Sequence, residues 1–363
     1  MKDQIYQLQS LVQGNWFKLI CGASYQHLPA IRSLALAYSL AGADCIDVAA
    51  DKAVITAAKE GIAVAATLSK TKQCKPLLMV SLNDDEDPHF RKAEFNATQC
   101  PVDCPRPCEA ICPAGAIDHK GVIDNLCYGC GRCLPICPEN LILTRSYVST
   151  PQTVIPWVEE MGIEGIEIHT QAGHFDEFKR LWQAISSVVP KLKVLAISCP
   201  DAPDVVKYLR SLYALMTPLP CPLIWQTDGR PMSGDIGAGT THAAVKLAQK
   251  ILDANLPGYV QLAGGTNSYT ITKLNSARML QNIHNKDDHD YKKVSGVAYG
   301  SYARSLVLPI LEQLDSINST NSCLNNTLEN NPQLLQQAVA QAQSLVTQIK
   351  TQVSQQVLSN NSK

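Results

Sequence analysis

Short apolar runs recur along the chain, and most are followed by a stretch with apolar residues three and four apart. Lys18-Leu-Ile-Cys-Gly-Ala reads as a strand. His27 to Gly42 reads as a helix, with Leu28, Ile31, Leu34, Ala35 and Leu40 at helical spacing. Cys45 to Ala50 predicts a second strand, Asp51 to Gly61 a helix opened by an acidic cap, and Leu77 to Leu82 a third strand. After an interruption the pattern resumes. Helices are expected over 153–161, 175–189, 204–213, 241–254 and 268–283, and strands over 165–169, 193–198, 222–227, 258–263 and 296–299. Strands alternating with helices predict βαβ units and a parallel sheet covered by helices.

The eight strands, near residues 19, 47, 79, 167, 196, 225, 261 and 298, fit a closed (β/α)8 TIM-like barrel. An open doubly wound sheet is the alternative. Residues 15–95 plus 142–312 amount to about 250, the usual size of such a barrel. The expected division is therefore a discontinuous barrel over those two segments and an insertion over 96–141. It follows the third strand, at the end where barrel active sites are built. Residues 313–363 form a linker and a C-terminal helix. Asn318–Asn331 is polar and reads as the linker. Leu335, Val339, Ala342, Val346, Ile349, Val353 and Val357 then line one seam of a long helix. That seam suits either packing on its own domain or contact with a second chain.

Composition narrows the class. The chain has 363 residues, 45% hydrophobic and 17% charged, with a formal net charge of −1. There is no basic excess to hold a phosphate backbone, so nucleic acid is not an expected partner. The first sixteen residues lack a signal pattern. The most apolar stretch, Ala53 to Leu68, is broken by Lys59 and Glu60 and is shorter than the ~20 residues a membrane span needs. A cytoplasmic protein without a transmembrane segment is expected. Fourteen cysteines then stand out, eight of them between positions 100 and 137. In a reducing compartment such cysteines are metal ligands or redox groups more often than disulfides.

The sharpest signal is Cys127-x2-Cys130-x2-Cys133-x3-Cys137-Pro138, the bacterial ferredoxin run, whose fourth cysteine serves the other cluster of a pair. A preceding run, Cys100-x3-Cys104-x3-Cys108-x3-Cys112-Pro113, ends in the same way. Crossed ligation gives two iron–sulfur sites. Cys127, Cys130, Cys133 and Cys112 hold one 4Fe-4S cluster. Cys100, Cys104, Cys108 and Cys137 hold the other. The x3 spacings leave the second cluster open between 4Fe-4S and 3Fe-4S. A zinc site would use two separated C-x2-C knuckles, without a third cysteine two residues later. Glu109-Ala-Ile-Cys-Pro and Leu134-Pro-Ile-Cys-Pro repeat one element, as do Ala116-Ile117-Asp118 and Leu141-Ile142-Leu143. The block is a pseudo-twofold repeat, as small two-cluster ferredoxins are.

Glycine loops follow the late strands. Gly234 to His242 is neither a P-loop nor a dinucleotide fingerprint. Gly264, Gly265 and Thr266 follow the seventh strand, and Gly300, Ser301 and Arg304 the eighth. In barrels these two loops often cradle a phosphate at a helix N-terminus, which would suit a phosphate-bearing ligand such as a flavin. The alternative is that they are turns. Asp44, Asp47 and Asp51 flank the second strand, with Asp51 read as a helix cap. His169 and Asp228 sit at strand ends. Cys21 and Cys199 read as buried thiols.

Taken together, the chain resembles the cyanobacterial light-dependent period protein A (LdpA) family, the iron–sulfur proteins of circadian clock input. The resemblance rests on Cys100–Pro138 within an α/β chain, with Ala41-Gly-Ala-Asp-Cys-Ile-Asp-Val-Ala-Ala-Asp51 before it and Gly234-Asp-Ile-Gly-Ala-Gly-Thr-Thr-His242 after it, and spans residues 15–315. It implies redox sensing, with clock input proteins as partners and a relay of photosynthetic redox state. The alternative from the residues is a ferredoxin-coupled oxidoreductase or electron-transfer component with a phosphate-bearing ligand in the barrel. Neither reading identifies the electron donor.

Overall fold

The computed structural model describes residues 2–22, 28–69, 75–85, 91–112, 115–124, 126–127, 131–146, 150–229, 237, 239–280, 292–320 and 326–360. Helix α1 (Lys2–Gln13) leads into β1 (Trp16–Ile20), α2 (Leu28–Ala41), β2 (Cys45–Ala49), α3 (Lys52–Leu68) and β3 (Leu77–Asn83). A module with β4 (Arg91–Glu94), α4 (Pro107–Ile111), β5 (Ile117–Asp118), β6 (Gly121–Val122) and β7 (Leu143–Ser146) intervenes before α5 (Pro151–Glu160) completes the third βα unit. The alternation then continues through β8 (Gly165–His169), α6 (Phe175–Ile185), β9 (Val194–Pro200), α7 (Val205–Met216), β10 (Leu223–Asp228) and α8 (Thr241–Asp253). It finishes with β11 (Tyr259–Ala263), α9 (Thr270–Ser276), β12 (Gly296–Tyr299), α10 (Ser301–Thr320) and the long α11 (Pro332–Asn360).

Eight parallel strands close in the order β1-β12-β11-β10-β9-β8-β3-β2. Closure comes from β1 pairing with β12, with Trp16 opposite Gly296 and Leu19 opposite Tyr299. The expected barrel is the observed one, and the open sheet is excluded. The module leaves the barrel at the carboxyl end of β3.

Strand alternation sends side chains to two cores. Outward residues such as Leu19, Val48, Val80, Ile168 and Ile197 pack under the helices. Inward residues Trp16, Cys45, Leu77, Met79, Val194 and Ile224 form a separate apolar cluster with Leu11 of α1. The amino half of the interior is thus apolar and packed against α1, an element the strand pattern did not anticipate.

Several boundaries differ from expectation, three of them with a clear physical reason. Helix α3 continues past Gly61 to Leu68, because Gly61 is a packing contact and not a stop: a Cβ there would lie 2.2 Å from the Arg32 carbonyl of α2. Helix α9 is shorter than expected. It runs Thr270–Ser276, and Arg278 then turns left-handed at φ 55. The expected linker is partly ordered: α10 runs to Thr320, Leu328 is fully buried, and Glu329 takes a two-pronged ion pair from Arg32 at 2.9 and 2.6 Å. Residues 321–325 lie outside the described set. The expected seam of α11 is used within the chain in part: Ala342, Val346 and Ile349 are buried in the main core, but the face continues through Leu334 and Ala338, leaving Leu335 and Val339 only half-buried, and the side chains of Val353 and Val357 lie outside the described set. Lys350 ties this helix to Asp44 at 2.6 Å, where Asp44 also accepts from the Phe17 amide and Ser10.

Gly296 gives a direct test of the closure. A Cβ there would stand 2.4 Å from the Trp16 carbonyl and 2.6 Å from the Trp16 Cβ. Gly296→Ala should destabilise the chain by about 1–3 kcal/mol, as overpacked sites do. Chemical denaturation would register this as a lower midpoint, and an unchanged midpoint would contradict the tight β1–β12 contact.

Candidate functional site

The module is built around cysteine. Strands β4 and β7 pair antiparallel, Arg91 opposite Ser146 and Glu94 opposite Leu143, forming a stalk. Above it, Ala93, Ala116, Ile117 and Ile142 make a small apolar core with Cys108, Cys127 and Cys133 buried in it and Cys112 and Cys137 packed against it. Ile117 and Ile142 are the paired positions of the internal repeat. Tight wrapping comes from left-handed residues, among them Arg106 at φ 50, Gly131 at φ 72 and Asn140 at φ 52. Cys130 and its neighbour Gly129 lie outside the described residues.

The thiols influence one another in sets. Burial, then a hydrogen bond with Cys104 and the proximity of Cys104 and Cys108, pushes the Cys100 thiol up. Burial likewise pushes Cys108 up, with Cys137 a further contributor. Cys100 thus feels Cys104 and Cys108, and Cys108 feels Cys137, although Cys137 is far along the chain. At Cys137 burial opposes the thiolate, but the amides of Leu141, Glu139, Ile142 and Asn140 outweigh it and lower its pKa. Cys112 Sγ accepts from the Ala116 amide at 3.2 Å. Soft sulfur donors with backbone N–H groups aimed at them suit iron–sulfur ligation, where such hydrogen bonds stabilise charge on sulfur. Among the described residues no three His, Cys, Asp or Glu side chains converge on a single metal ion.

A buried ion pair seats the module on the barrel. Lys92 of β4 is 1% exposed and its Nζ lies 3.0 Å from Asp51 Oδ2. The same ammonium donates to the Asp124 carbonyl, in the turn that leads to Cys127. Asp51 also caps α3, its Oδ1 accepting from the Ala53 amide at 2.9 Å and the Val54 amide at 3.3 Å. The expected cap is present, and it carries a second role that the sequence did not reveal.

The carboxyl half of the barrel interior is polar. Lys18 of β1 is buried between Asp47 of β2, at 3.2 Å, and Glu167 of β8. Gln226 donates to Glu167 at 2.7 Å and receives Gln261 Nε2 at 2.7 Å. Ser81 donates to Asp47 at 2.8 Å, and Ser198 donates to Asp228. His169 Nε2 lies 3.1 Å from Glu167 Oε1, with its side chain 35% exposed. Seven of the eight strands contribute. Each supplies a polar residue on the inward register: Lys18 in WFKLI, Asp47 in CIDVA, Glu167 in GIEIH, Gln226 in LIWQTD, Gln261 in YVQLA. That interruption of apolar runs is the signal by which Lys18, Glu167, Gln226 and Gln261 were legible, and it was missed.

Burial raises Asp47 to about 6, against the pull of Lys18. Burial also opposes ionisation of Glu167, but Lys18 and His169 overcome it and hold that carboxylate near 2. Burial would lower His169, yet Glu167 raises it to about 9, tempered by its exposure to water. Burial pushes the Cys21 and Cys199 thiols up to about 12, so both stay protonated.

All six residues of the expected phosphate cradle lie at this same end. Gly264 and Gly265 follow β11 with φ 63 and 91. The Thr266 hydroxyl is engaged structurally, donating to the Ala298 carbonyl of β12 at 2.7 Å. Arg304, in the first turn of α10 after Gly300, donates to Ser301 Oγ at 3.0 Å and to the Ile20 carbonyl at 3.4 Å. Of the Gly234–His242 loop, residues 234–236 and 238 lie outside the described residues; the Thr240 hydroxyl donates to the Gly237 carbonyl at 2.8 Å and to the Gly265 carbonyl at 2.7 Å.

The raised His169 gives a signed pH test. Its ordinary pKa is about 6.5, so the charged pair with Glu167 is fully formed below that value and lost as pH rises through 9. Wild type should exceed His169→Asn in denaturant midpoint at pH 6, with the gap shrinking by pH 9.5. A gap independent of pH would contradict the charged pair.

Residues 157–348 match the family model described as Light dependent period A C-terminal domain, and residues 100–148 match the LdpA Fe-S cluster-binding domain. Light dependent period A of Synechococcus elongatus is 49% identical over 341 residues, covering 94% of this chain and 93% of that protein. Among solved structures, the tryptophan synthase alpha chain of Legionella pneumophila subsp. pneumophila aligns over 96% of both chains, at 9% identity and a TM-score of 0.44. Orotidine 5'-phosphate decarboxylase of Pyrococcus horikoshii OT3 aligns over 92% of this chain and 99% of its own, at 10% identity and a TM-score of 0.38.

Proposed function

Because this chain belongs to the light dependent period A family, we propose that it is a redox-sensing iron–sulfur protein relaying light and photosynthetic redox state to circadian clock input partners. The supporting observation is that Cys137 packs against the small apolar core that holds Cys108, 29 positions earlier in the chain, as one half of a crossed two-cluster pattern requires. Cys112, Cys127, Cys130 and Cys133 make the other half, a 4Fe-4S site. The Cys100 set takes a 4Fe-4S or a 3Fe-4S cluster. Bound clusters would supply reversible one-electron chemistry. The chain's own part is to position the thiols, shield them and couple their surroundings to a surface.

That surface is apolar. Ile111, Leu126 and Ile136 are 40, 42 and 42% exposed, each one residue before a ligating cysteine, and Val102 and Leu143 are exposed nearby. Their solvation makes the cysteine loops the place where a partner meets the module. In this reading the segment from β4 to β7, a little longer than the expected 96–141, is the sensing module and the barrel is its platform, without catalysis of its own. Among the described residues no helix is long and apolar enough to cross a membrane.

Crossed ligation is tested by Cys112→Ala. The variant should lose the paramagnetic signal of the cluster held by Cys127, Cys130 and Cys133 and keep the other. Cys137→Ala should do the reverse. Loss confined in each case to the cluster nearest in sequence would overturn the assignment.

A further inference from the structure

Among the described residues Arg304 has no counter-charge. Its guanidinium is mostly buried at the carboxyl end of the barrel, over the seam between β12 and β1, and among the described residues it donates to the Ile20 carbonyl and Ser301 Oγ. Among the described residues no carboxylate pairs with it; burial and the Cys21 thiol are the influences it feels. Arginine stays charged in proteins, and a buried charge left unpaired is costly. Most of its five donors remain available.

Unused backbone donors lie on the two loops beside it. Among the described residues the amides of Gly264, Gly265, Gly300 and Ser301 meet no acceptor. The Thr266 hydroxyl fastens the first loop to the Ala298 carbonyl of β12, so the loops after β11 and β12 are held side by side. Ser301 opens α10, a helix of 20 residues whose N-terminus faces the same end. Beside this positive rim the interior presents His169 and Asp228, the uppermost members of the buried polar network.

We propose that the barrel mouth binds a phosphate monoester of a small molecule, with its phosphate held by Arg304 and the amides of Gly264, Gly265, Gly300 and Ser301. The remainder of the molecule lies over the polar interior, where His169 and Asp228 supply a donor and an acceptor. The site is separate from the cysteine module and stands on its own observations.

Calorimetric titration of the anaerobically purified full-length chain with inorganic phosphate and with glycerol 3-phosphate tests this. Both should bind saturably, the ester at least as tightly as the free ion. Arg304→Gln, which keeps a donor near the Ile20 carbonyl, should weaken both at least tenfold, and Arg304→Lys by less. Circular dichroism and cluster absorbance should be unchanged in both variants. Binding of inorganic phosphate alone would overturn the monoester assignment. No binding of either anion, or equal affinity in folded Arg304→Gln, would overturn the site. Either failure would leave the iron–sulfur reading untouched, because cluster absorbance is recorded on the same samples.

Discussion

A lysine ammonium with no access to solvent, Lys18, stands between the carboxylates of Asp47 and Glu167, and the carboxyl half of the barrel is arranged around it. Removing the cation from such a cluster would strand two buried carboxylates, at a cost on the order of 3–5 kcal/mol. Gln226 and Gln261 continue the network across the interior, and His169 carries it to the mouth. The amino half is filled instead by Trp16, Leu77, Met79 and Val194 packed against Leu11. The barrel is thus polarised along its axis, dry at one end and ionic at the other. Only the ionic end carries the module.

The same device is used a second time at the junction. Lys92 is as buried as Lys18, and its partner Asp51 is simultaneously the cap of α3. Through the Asp124 carbonyl this one ammonium also touches the turn before Cys127. Physical continuity therefore runs from a cysteine loop to α3, which packs tightly on α2 through Gly61, and from α2 to the C-terminal helix α11. A change in the cysteine loops has a route of direct contacts into the barrel shell.

The barrel was legible because each strand is a short apolar run bounded by turn residues, and the helices between them keep a clear helical period. Fold class and strand positions followed from that alone. The module was legible from cysteine spacing, which is set by cluster geometry and tolerates little drift. What escaped has physical reasons. Gly61 reads as a helix breaker when it is a close helix–helix contact, so α3 was cut short. Leu328 and Glu329 sit in a polar stretch that reads as a linker, yet a single buried leucine and an ion pair to Arg32 pin it. Lys92 carries no local signal at all, since its partner Asp51 is distant in sequence. The interior charges were visible as lone polar residues within apolar strands, but the significance of each depends on the register of its neighbours around the closed sheet.

Two iron–sulfur clusters in a module carried at the ionic end of this barrel can be counted by native mass spectrometry of the anaerobically purified full-length chain. The expected result is a mass increment of two clusters, roughly seven or eight irons with matching sulfide per chain, as in a paired ferredoxin arrangement. An increment of one cluster, or of zinc without sulfide, would contradict it.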